Sequence, residues 1–266
     1  CSARGFGALA FKGAVKEAGP KGDDVQEAIM GNGLPGGQGQ APARQAAIKA
    51  ELGKHPESTT INKMCGSGMQ AAVMGASSIL SGQADIVVAG GMESMTNAPH
   101  MIDLRKGHKY GAAVTRDHMA TDGLEDAYAN QPMGKFADMI AEKDQFTREA
   151  QDEYALETLR RAQEATEQGR FKREITPVVV KTRKGETTVD QDELPKSARP
   201  DKIPTLRPAF NKDGTVTAAN ASAISDGAAA LVLMKQSEAE KRGLKPIAKT
   251  ASSASPPPQP GNTPTA

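Results

Sequence analysis

Residues 59–91 read TTINKMCGSGMQAAVMGASSILSGQADIVVAGG, and this stretch decides the fold class. Thr59–Asn62 is β-prone, whereas small and apolar residues occupy nearly every face of Gly66–Leu80, as in a helix buried within a fold. Gly82 ends that helix, and the continuous apolar run Ile86–Gly91 is typical of a strand covered on both sides. Strand, helix and strand in this order predict a βαβ unit with parallel strands and a right-handed crossover.

The sequence on either side predicts further elements of an α/β body. Phe11–Ala18 is predicted to be helical and Val25–Met30 to be a short helix or strand. A second helix is predicted to begin at Pro42, because proline suits the first helical turn, and to end at Gly53. The apolar run Ala228–Met234 predicts a second strand covered on both sides.

The chain between about Met95 and Asn220 is more polar and reads as an excursion from the sheet. A long helix is predicted from about Arg148 to Gln168. Glu174–Lys181 and Glu186–Val189 alternate in polarity around Arg183-Lys184-Gly185, which predicts a hairpin. An α/β body interrupted by a polar subdomain follows from this order.

Composition excludes several classes of protein. The 33 basic and 32 acidic residues give a net charge of +1, so no broad field is available to hold nucleic acid or an anionic membrane. No apolar run reaches the roughly 18 residues needed to span a bilayer. Only two cysteines occur, which fits a reduced compartment. We therefore expect a soluble protein of the cytoplasm, with an organellar matrix as the alternative.

Cys65 stands where the predicted strand turns into the predicted helix. Free backbone N–H groups and the positive end of the helix dipole lie close to such a position, which favours the thiolate over the thiol. A thiolate attacks a thioester well and leaves well, so reversible acyl exchange suits it. The alternative is an ordinary buried thiol, because free cysteine often behaves as a small hydrophobe.

Five segments resemble segments of the thiolase family and occur in the same order as in that family. Asn62–Ala72 (NKMCGSGMQAA) is similar to the nucleophile segment of thiolases, and Val88–Met95 (VAGGMESM) is similar to the strand end that follows it. The resemblance continues upstream in Gly36–Gln45 and downstream in Leu206–Phe210 and Thr215–Ser222, and it covers roughly residues 1–250. Cys1–Arg4 resembles the first strand of the family.

The resemblance implies a layered αβα body with an inserted polar loop subdomain, assembled as homodimers or homotetramers. It assigns residues 1–95 to the first part of the N-terminal α/β domain, 96–220 to the loop subdomain and 221–250 to the return of the α/β domain. Residues 251–266 are expected to form an extended or disordered tail. Only the N-terminal half of the family's fold is matched.

The resemblance also implies a reaction and a substrate. In thiolases the nucleophilic cysteine, here Cys65, takes an acyl group from one coenzyme A thioester and passes it to another, in fatty acid metabolism. No other cofactor and no metal is implied. Coenzyme A contacts come mainly from the loop subdomain, at the positions that match Leu124, Met133, Ala218 and Ser222. The apolar positions could instead serve local packing, and Ser222 could cap a turn.

Two segments of the family's chemistry do not occur in this sequence. Thiolases carry a histidine in a Gly-His-Pro segment and a second cysteine in a Cys-x-Gly-Gly-Gly segment. A chain with this sequence alone is expected to be nearly inactive, since general acid–base help is worth about 10²–10⁴-fold. The alternatives are a thiolase-like protein that binds coenzyme A or completes an oligomer without catalysis, and, more remotely, a decarboxylating condensing enzyme.

Other patterns carry weaker signals. Gly31–Gly36 matches the dinucleotide-binding spacing, but Pro35 lies inside it and no helix begins directly after it, which argues against a nicotinamide site. Basic residues around the hairpin could meet the phosphates of coenzyme A or form a solvated face: Lys181, Arg183, Lys184, Lys196, Arg199 and Lys202. His100, His108 and His118 lack metal-ligand spacing and read as surface residues, and His55 also stands outside any family motif.

Overall fold

The computed structural model describes residues 1–53, 56–183 and 185–255. Two compact units are present: the first comprises Cys1–Met119, Thr176–Thr188 and Ser225–Ser253, and the second comprises Ala120–Ile175, Val189–Ile224 and the chain from Ala254. The helices and strands, in chain order, are α1 Ala3–Ala18, β1 Glu27–Gly31, α2 Pro42–Lys49, β2 Glu57–Ile61, α3 Ser67–Leu80, β3 Ile86–Ser94, β4 His100–Met101, β5 Arg116–Asp117, α4 Met133–Lys143, α5 Arg148–Glu167, β6 Val178–Thr182, β7 Gly185–Val189, α6 Glu193–Ser197, β8 Asp226–Met234 and α7 Gln236–Lys241.

A four-stranded sheet in the order β2-β1-β3-β8 forms the centre of the first unit. β1 is parallel to both β2 and β3, whereas β8 is antiparallel to β3. The predicted βαβ unit is present as β2-α3-β3, with the two strands parallel. They do not pair directly, because β1 lies between them and pairs with both.

Helices cover both faces of this sheet. On one face α1 and α2 pack against the sheet through a cluster that includes Phe11, Val15, Ala46 and Val88. On the other face α3 packs through a second cluster that includes Ala71 and Ile79 of the helix, and Ile29, Val87 and Ala89 of the strands. Successive residues of a strand point to opposite faces, which is why Val87 and Val88 belong to different clusters. The layering is the αβα arrangement that the resemblance implies.

The first residues form a helix and not the strand expected for Cys1–Arg4, so that prediction is wrong. Ser2 is the N-cap of α1, with extended backbone angles, and its side chain accepts a hydrogen bond from the N–H of Gly5 at 3.3 Å. The predicted helix Phe11–Ala18 is confirmed and continues toward the N-terminus. It ends at Gly19, whose φ of 95° is the left-handed conformation common after a helix.

Two predictions of burial on all sides are also wrong. Among the described residues, β8 is an edge strand with a largely exposed face, on which Leu231 is 58% exposed. α3 buries one stripe, which includes Ala71, Gly75 and Ile79, whereas Met69 and Leu80 are 77% and 87% exposed. The sequence pattern reports apolar character, and the topology decides which of those residues meet a neighbour.

Other predicted elements are confirmed with small shifts at their ends. Val25–Met30 overlaps β1, which ends one residue later at Gly31. The helix from Pro42 ends at Lys49 and not at Gly53, and the long helix α5 ends at Glu167. β6 and β7 form the predicted hairpin, although Lys184 in its turn lies outside the described residues, as do His55 and most of the predicted tail. Within the described residues, no helix is both long and apolar enough to cross a membrane.

Candidate active site

Three parallel strands bring the candidate residues of the first unit to one edge of the sheet. Asn32 directly follows β1, Cys65 lies four residues after β2, and Glu93 is near the carboxyl end of β3. Since parallel strands end at the same edge, these positions share the edge at which open α/β sheets bind their ligands. This edge is the candidate active site.

The backbone around Cys65 is held in a tight turn before α3. The side-chain oxygen of Asn62 accepts the N–H of Met64 at 2.9 Å. Ser67 Oγ accepts the N–H of Lys63 at 2.8 Å and donates to the carbonyl of Met64 at 2.5 Å. Met64 has a φ of 51°, in the left-handed region that non-glycine residues rarely adopt. Fixed polar contacts therefore hold the residue before the candidate nucleophile in an uncommon conformation.

Cys65 itself is an exposed free thiol. Gly66 is the N-cap of α3, and no side chain of the described residues caps the helix there. The first turn of a helix has backbone N–H groups without partners in the helix, and these carry a partial positive charge. The predicted position of Cys65 at a turn from strand to helix is confirmed, and the alternative of a buried structural thiol is wrong for this structure.

Glycines let the first turn of α3 approach the sheet closely. A Cβ added to Gly31, at the end of β1, would lie 2.6 Å from the carbonyl carbon and the Cβ of Ser67. A Cβ added to Gly91 would lie 3.3 Å from the Cα of Gly68. The start of α3 thus rests on strand backbone, and its position depends on residues that have no side chain.

Glu93 holds the loop that follows β1. Its carboxylate accepts the N–H of Gly33 at 2.7 Å, the side-chain amide of Asn32 at 2.8 Å and the N–H of Leu34 at 3.2 Å. Burial raises the pKa of this carboxyl, and the hydrogen bonds from Gly33, Leu34, Ser94 and Asn32 oppose that rise. The side-chain amide of Asn32 also donates to the carbonyl of Met92 at 3.3 Å.

Sequence reasoning did not identify Asn32 or the contacts of Glu93. Asn32 is 1% exposed although its side chain is polar. A polar residue directly after an apolar strand is a signal that could have identified it, because a buried amide requires hydrogen-bond partners. Glu93 was noted only as part of the segment Val88–Met95 that resembles the family. Its contacts are with the loop after β1, about 60 residues away in sequence, and a single sequence does not show them.

The histidines fall into two groups. His100 and His108 are exposed, as predicted, but His118 is buried at 6% exposure, so the prediction of a surface residue is wrong there. The ring nitrogen Nε2 of His118 accepts the N–H of Gly36 at 3.1 Å, which fixes the loop after β1 from a second side. No cluster of three or more metal-binding side chains occurs among the described residues.

The predicted coenzyme A positions all lie in the second unit, whereas Cys65 lies in the first. Leu124 ends a short helical turn, Met133 begins α4, and Ala218 and Ser222 lie in the loop before β8. Leu124 and Met133 are partly exposed, and Ala218 and Ser222 are exposed. Their contact with coenzyme A stays a prediction.

A polar network shapes the loop that carries Ala218 and Ser222. The side-chain amide of Asn220 donates to Asp152 Oδ1 at 3.1 Å and to the carbonyl of Thr215 at 3.0 Å, and its oxygen accepts the N–H of Thr217 at 2.7 Å. Arg148 pairs with Asp152 at 2.7 Å. This ion pair joins two residues of α5 and is largely buried, so it holds Asp152 in place as the acceptor for Asn220.

A second carboxylate anchors the preceding turn. Asp138, on α4, is 6% exposed and accepts the N–H groups of Thr215 and Val216, each at 2.9 Å, and the side-chain amide of Asn211 at 3.0 Å.

The basic residues of the hairpin were predicted either to meet the phosphates of coenzyme A or to form a solvated face. One of them, Lys181, pairs with Glu186 at 2.9 Å. That pair favours the solvated face for this lysine, and Lys184 lies outside the described residues.

Comparisons with known proteins show the family to which the chain belongs. The family model described as "Thiolase, N-terminal domain" matches residues 1–237. An acetyl-CoA acetyltransferase of Rhizobium meliloti is 49% identical over 248 residues, which cover 93% of this chain and 63% of that protein. A probable acetyl-CoA acetyltransferase of Dictyostelium discoideum is 48% identical over 243 residues, which cover 91% of this chain and 59% of that protein.

A solved structure is similar over nearly the same extent. The crystal structure of a thiolase from Ascaris suum in complex with coenzyme A matches with a TM-score of 0.87 and 42% identity, and the match covers 94% of this chain and 64% of that one. The chain thus spans a little under two thirds of the length of these relatives. The match to residues 1–237 and the exposed cysteine on its turn before α3 together place this chain in the thiolase family.

Proposed function

We propose that the protein is an acyl-CoA C-acyltransferase that moves an acetyl or other acyl group between coenzyme A thioesters through an acyl-Cys65 intermediate. The observation that carries the proposal is the exposed Cys65 thiol on a turn held by hydrogen bonds at the start of α3. Relatives named acetyl-CoA acetyltransferase, at 44–49% identity, support the same reaction class.

In the condensation direction of the proposed reaction, the Cys65 sulfur attacks the carbonyl carbon of an acyl thioester. The bond between that carbon and the sulfur of coenzyme A breaks, and coenzyme A leaves as a thiolate that takes up a proton, while Cys65 has given up its own. The α-carbon of a second acyl-CoA gives up a proton and attacks the carbonyl carbon of acyl-Cys65, so a carbon–carbon bond forms and the bond from that carbon to the Cys65 sulfur breaks. Thiolysis is the reverse: Cys65 attacks the 3-keto carbon of a 3-ketoacyl-CoA, the carbon–carbon bond breaks, and acetyl-CoA leaves as its enolate and takes up a proton. The acyl group on Cys65 then passes to the sulfur of a second coenzyme A, which gives up its thiol proton. Condensation thus exchanges one thioester bond for one carbon–carbon bond, and thiolysis does the opposite.

The partners in this proposal are acyl-CoA and coenzyme A, with Leu124, Met133, Ala218 and Ser222 as coenzyme A contacts. The Ascaris suum thiolase, by its description, is in complex with coenzyme A, which supports the class of ligand. We further propose a homodimer or homotetramer and a cytoplasmic location. Size measurement by light scattering and localisation of a tagged full-length protein test these two points separately.

A second candidate follows from the missing segments. Because no Gly-His-Pro and no Cys-x-Gly-Gly-Gly segment occurs in these 266 residues, a thiolase-like protein that binds coenzyme A without turning it over is the alternative. The two candidates share the ligand and differ in the reaction.

The test uses the full-length gene product. Acetoacetyl-CoA and coenzyme A are supplied, and the loss of the acetoacetyl thioester is followed by absorbance, while calorimetry measures coenzyme A binding. The proposed function predicts thiolysis that disappears in Cys65→Ala and persists in the matched variant Cys1→Ala. Coenzyme A binding without thiolysis in the wild type would favour the second candidate, and absence of both would refute the two together.

A further inference from the structure

The side chain of Asn62 connects the turn before Cys65 to the sheet edge. Neither the proposed acyl transfer nor the proposed coenzyme A contacts give this residue a role. Asn62 directly follows β2 and is exposed, so its amide is not required to fill the core. Both ends of that amide are nevertheless engaged. The oxygen accepts the N–H of Met64 at 2.9 Å, and the nitrogen donates to the carbonyl of Gly33 at 3.1 Å.

Both residues that Asn62 contacts, Met64 and Gly33, are themselves held by other hydrogen bonds of the first unit. Met64 immediately precedes Cys65 and has a φ of 51°, so the direction of the chain into Cys65 depends on the contacts that hold Met64 in this conformation. Gly33 in turn donates its own N–H to Glu93 Oε2 at 2.7 Å. Asn62 therefore links the nucleophile turn to the loop that Glu93 holds.

A second contact reaches the same turn from the helix. Ser67 Oγ binds the N–H of Lys63 and the carbonyl of Met64, and Ser67 is 5% exposed. Ser67 fixes the turn relative to α3, whereas Asn62 fixes it relative to the loop after β1. The position of a side chain at residue 65 relative to the sheet edge is set by both, and only the Asn62 contact comes from outside the helix.

We propose that Asn62 is a positioning residue that orients Cys65 for attack, through Met64 and Gly33, and that it does so without contacting the substrate. This inference rests on the proposed acyl transfer. It deepens that proposal by assigning the geometry of the nucleophile to a residue three positions before it. A small misplacement of a nucleophile lowers the rate strongly, because attack requires near-contact geometry.

The test compares three variants of the full-length protein. Asn62→Ala removes both contacts, and Asn62→Asp keeps the acceptor for the Met64 N–H and loses the donor to Gly33. The control is Thr59→Ala, which changes an exposed side chain of β2. Two readouts are taken from each variant. One is the rate at which acetyl-CoA acetylates Cys65, with its dependence on acetyl-CoA concentration. The other is the rate of Cys65 alkylation by iodoacetamide relative to Cys1 in the same molecule.

We expect Asn62→Ala to lower the maximal acetylation rate about 10-fold or more, with half-saturation by acetyl-CoA unchanged. Asn62→Asp is expected to lose less of the rate than Asn62→Ala, and Thr59→Ala to behave as wild type. The alkylation ratio of Cys65 to Cys1 is expected to change most in Asn62→Ala, less in Asn62→Asp and not in Thr59→Ala. The midpoint of urea unfolding should stay near the wild-type value in all three, because Asn62 is exposed.

The result that overturns the inference is an Asn62→Ala protein whose acetylation rate and alkylation ratio both lie within about twofold of wild type. A rise in half-saturation with an unchanged maximal rate would overturn it as well, since it would indicate direct substrate binding. Failure of the proposed function is recognised separately. In that case the wild type itself is not acetylated, while the alkylation ratio still shows whether Asn62 orients the thiol.

Discussion

Gly31→Ala is the substitution that most directly connects the packing of the sheet to the candidate site. The added Cβ would lie 2.6 Å from the carbonyl carbon and Cβ of Ser67 and 2.7 Å from the backbone nitrogen of Gly68. Ordinary contact for a Cβ begins at 3.4 Å, so the first turn of α3 must retreat by about 0.8 Å. Two of the three atoms are backbone and the third is a Cβ bonded to it, so rotation of a flexible side chain cannot relieve the contact.

The expected cost is about 1–3 kcal/mol of unfolding free energy, the usual range for added volume in a packed region. Ser67 binds the turn that carries Cys65, so its displacement should also misplace the thiol. A shift of about 1 Å can lower a rate by about 10²-fold, and we expect a loss between about 10-fold and 100-fold in acetylation of Cys65.

Urea unfolding and quenched-flow acetylation of Cys65 measure these two effects. The control is Gly227→Ala in β8, where an added Cβ meets no atom of the described residues within 4 Å. It is expected to change the unfolding free energy by less than about 0.5 kcal/mol and to leave the rate unchanged. A Gly31→Ala protein with wild-type stability and wild-type acetylation would refute the close approach of α3 to β1, and lost stability with an unchanged rate would refute its role in placing Cys65.

Three further substitutions test other parts of the structure. Phe11→Ala is expected to cost about 3–5 kcal/mol in urea unfolding, because the ring is fully buried in the cluster between α1 and the sheet, and a loss below about 1 kcal/mol would contradict that packing. Asp138→Ala should cost on the order of 3 kcal/mol in urea unfolding, since the buried N–H groups of Thr215 and Val216 lose their acceptor. The control Asp144→Ala, at an exposed position, should cost less than about 0.5 kcal/mol. Equal effects of the two substitutions would argue against Asp138 as the anchor of this turn. Burial raises the pKa of Glu93 in the folded protein, so between the ordinary glutamate pKa and the raised one the folded state binds more protons than the unfolded state. The unfolding free energy should therefore fall as pH rises through the folded pKa. Unfolding curves at several pH values should show this fall in the wild type and a flatter dependence in Glu93→Gln, and a parallel dependence in both would contradict the raised pKa.

The sequence predicted those features that depend on local pattern. The continuous apolar run at Ile86–Gly91, the glycine after Leu80 and the turn at Cys65 are local signals, and the structure confirms the strand, the helix and the turn between them. The parallel direction of β2 and β3 followed from their connection. That β1 lies between them did not, because strand order depends on contacts between segments distant in sequence.

Burial was the feature that the sequence predicted least well. Ala228–Met234 and Gly66–Leu80 have the composition of fully covered elements, yet β8 is an edge strand and α3 is covered on one stripe. Apolar composition shows which residues an element could bury. Which of them are buried depends on the neighbours that the topology places against the element. His118 shows the converse, because a polar ring is buried where the loop after β1 provides a backbone donor.

Within the site, the nucleophile could be predicted and its supports could not. Cys65 stood out by its residue type and its place at a strand-to-helix turn. Asn62, Ser67 and Glu93 act through hydrogen bonds to backbone groups, and a single sequence does not show which backbone groups a side chain will meet. The coenzyme A positions came from family resemblance alone and await a binding measurement.

If Cys65 carries the acyl group, identification of the acylated residue shows it most directly. Full-length, folded protein is incubated with acetyl-CoA, digested under acid and analysed by mass spectrometry, with the peptide that contains Cys1 as the internal control. We predict an acetyl group on Cys65, absent from Cys1, that disappears when free coenzyme A is added before the acid. An unmodified Cys65, or equal acetylation of the two cysteines, would contradict this role of Cys65.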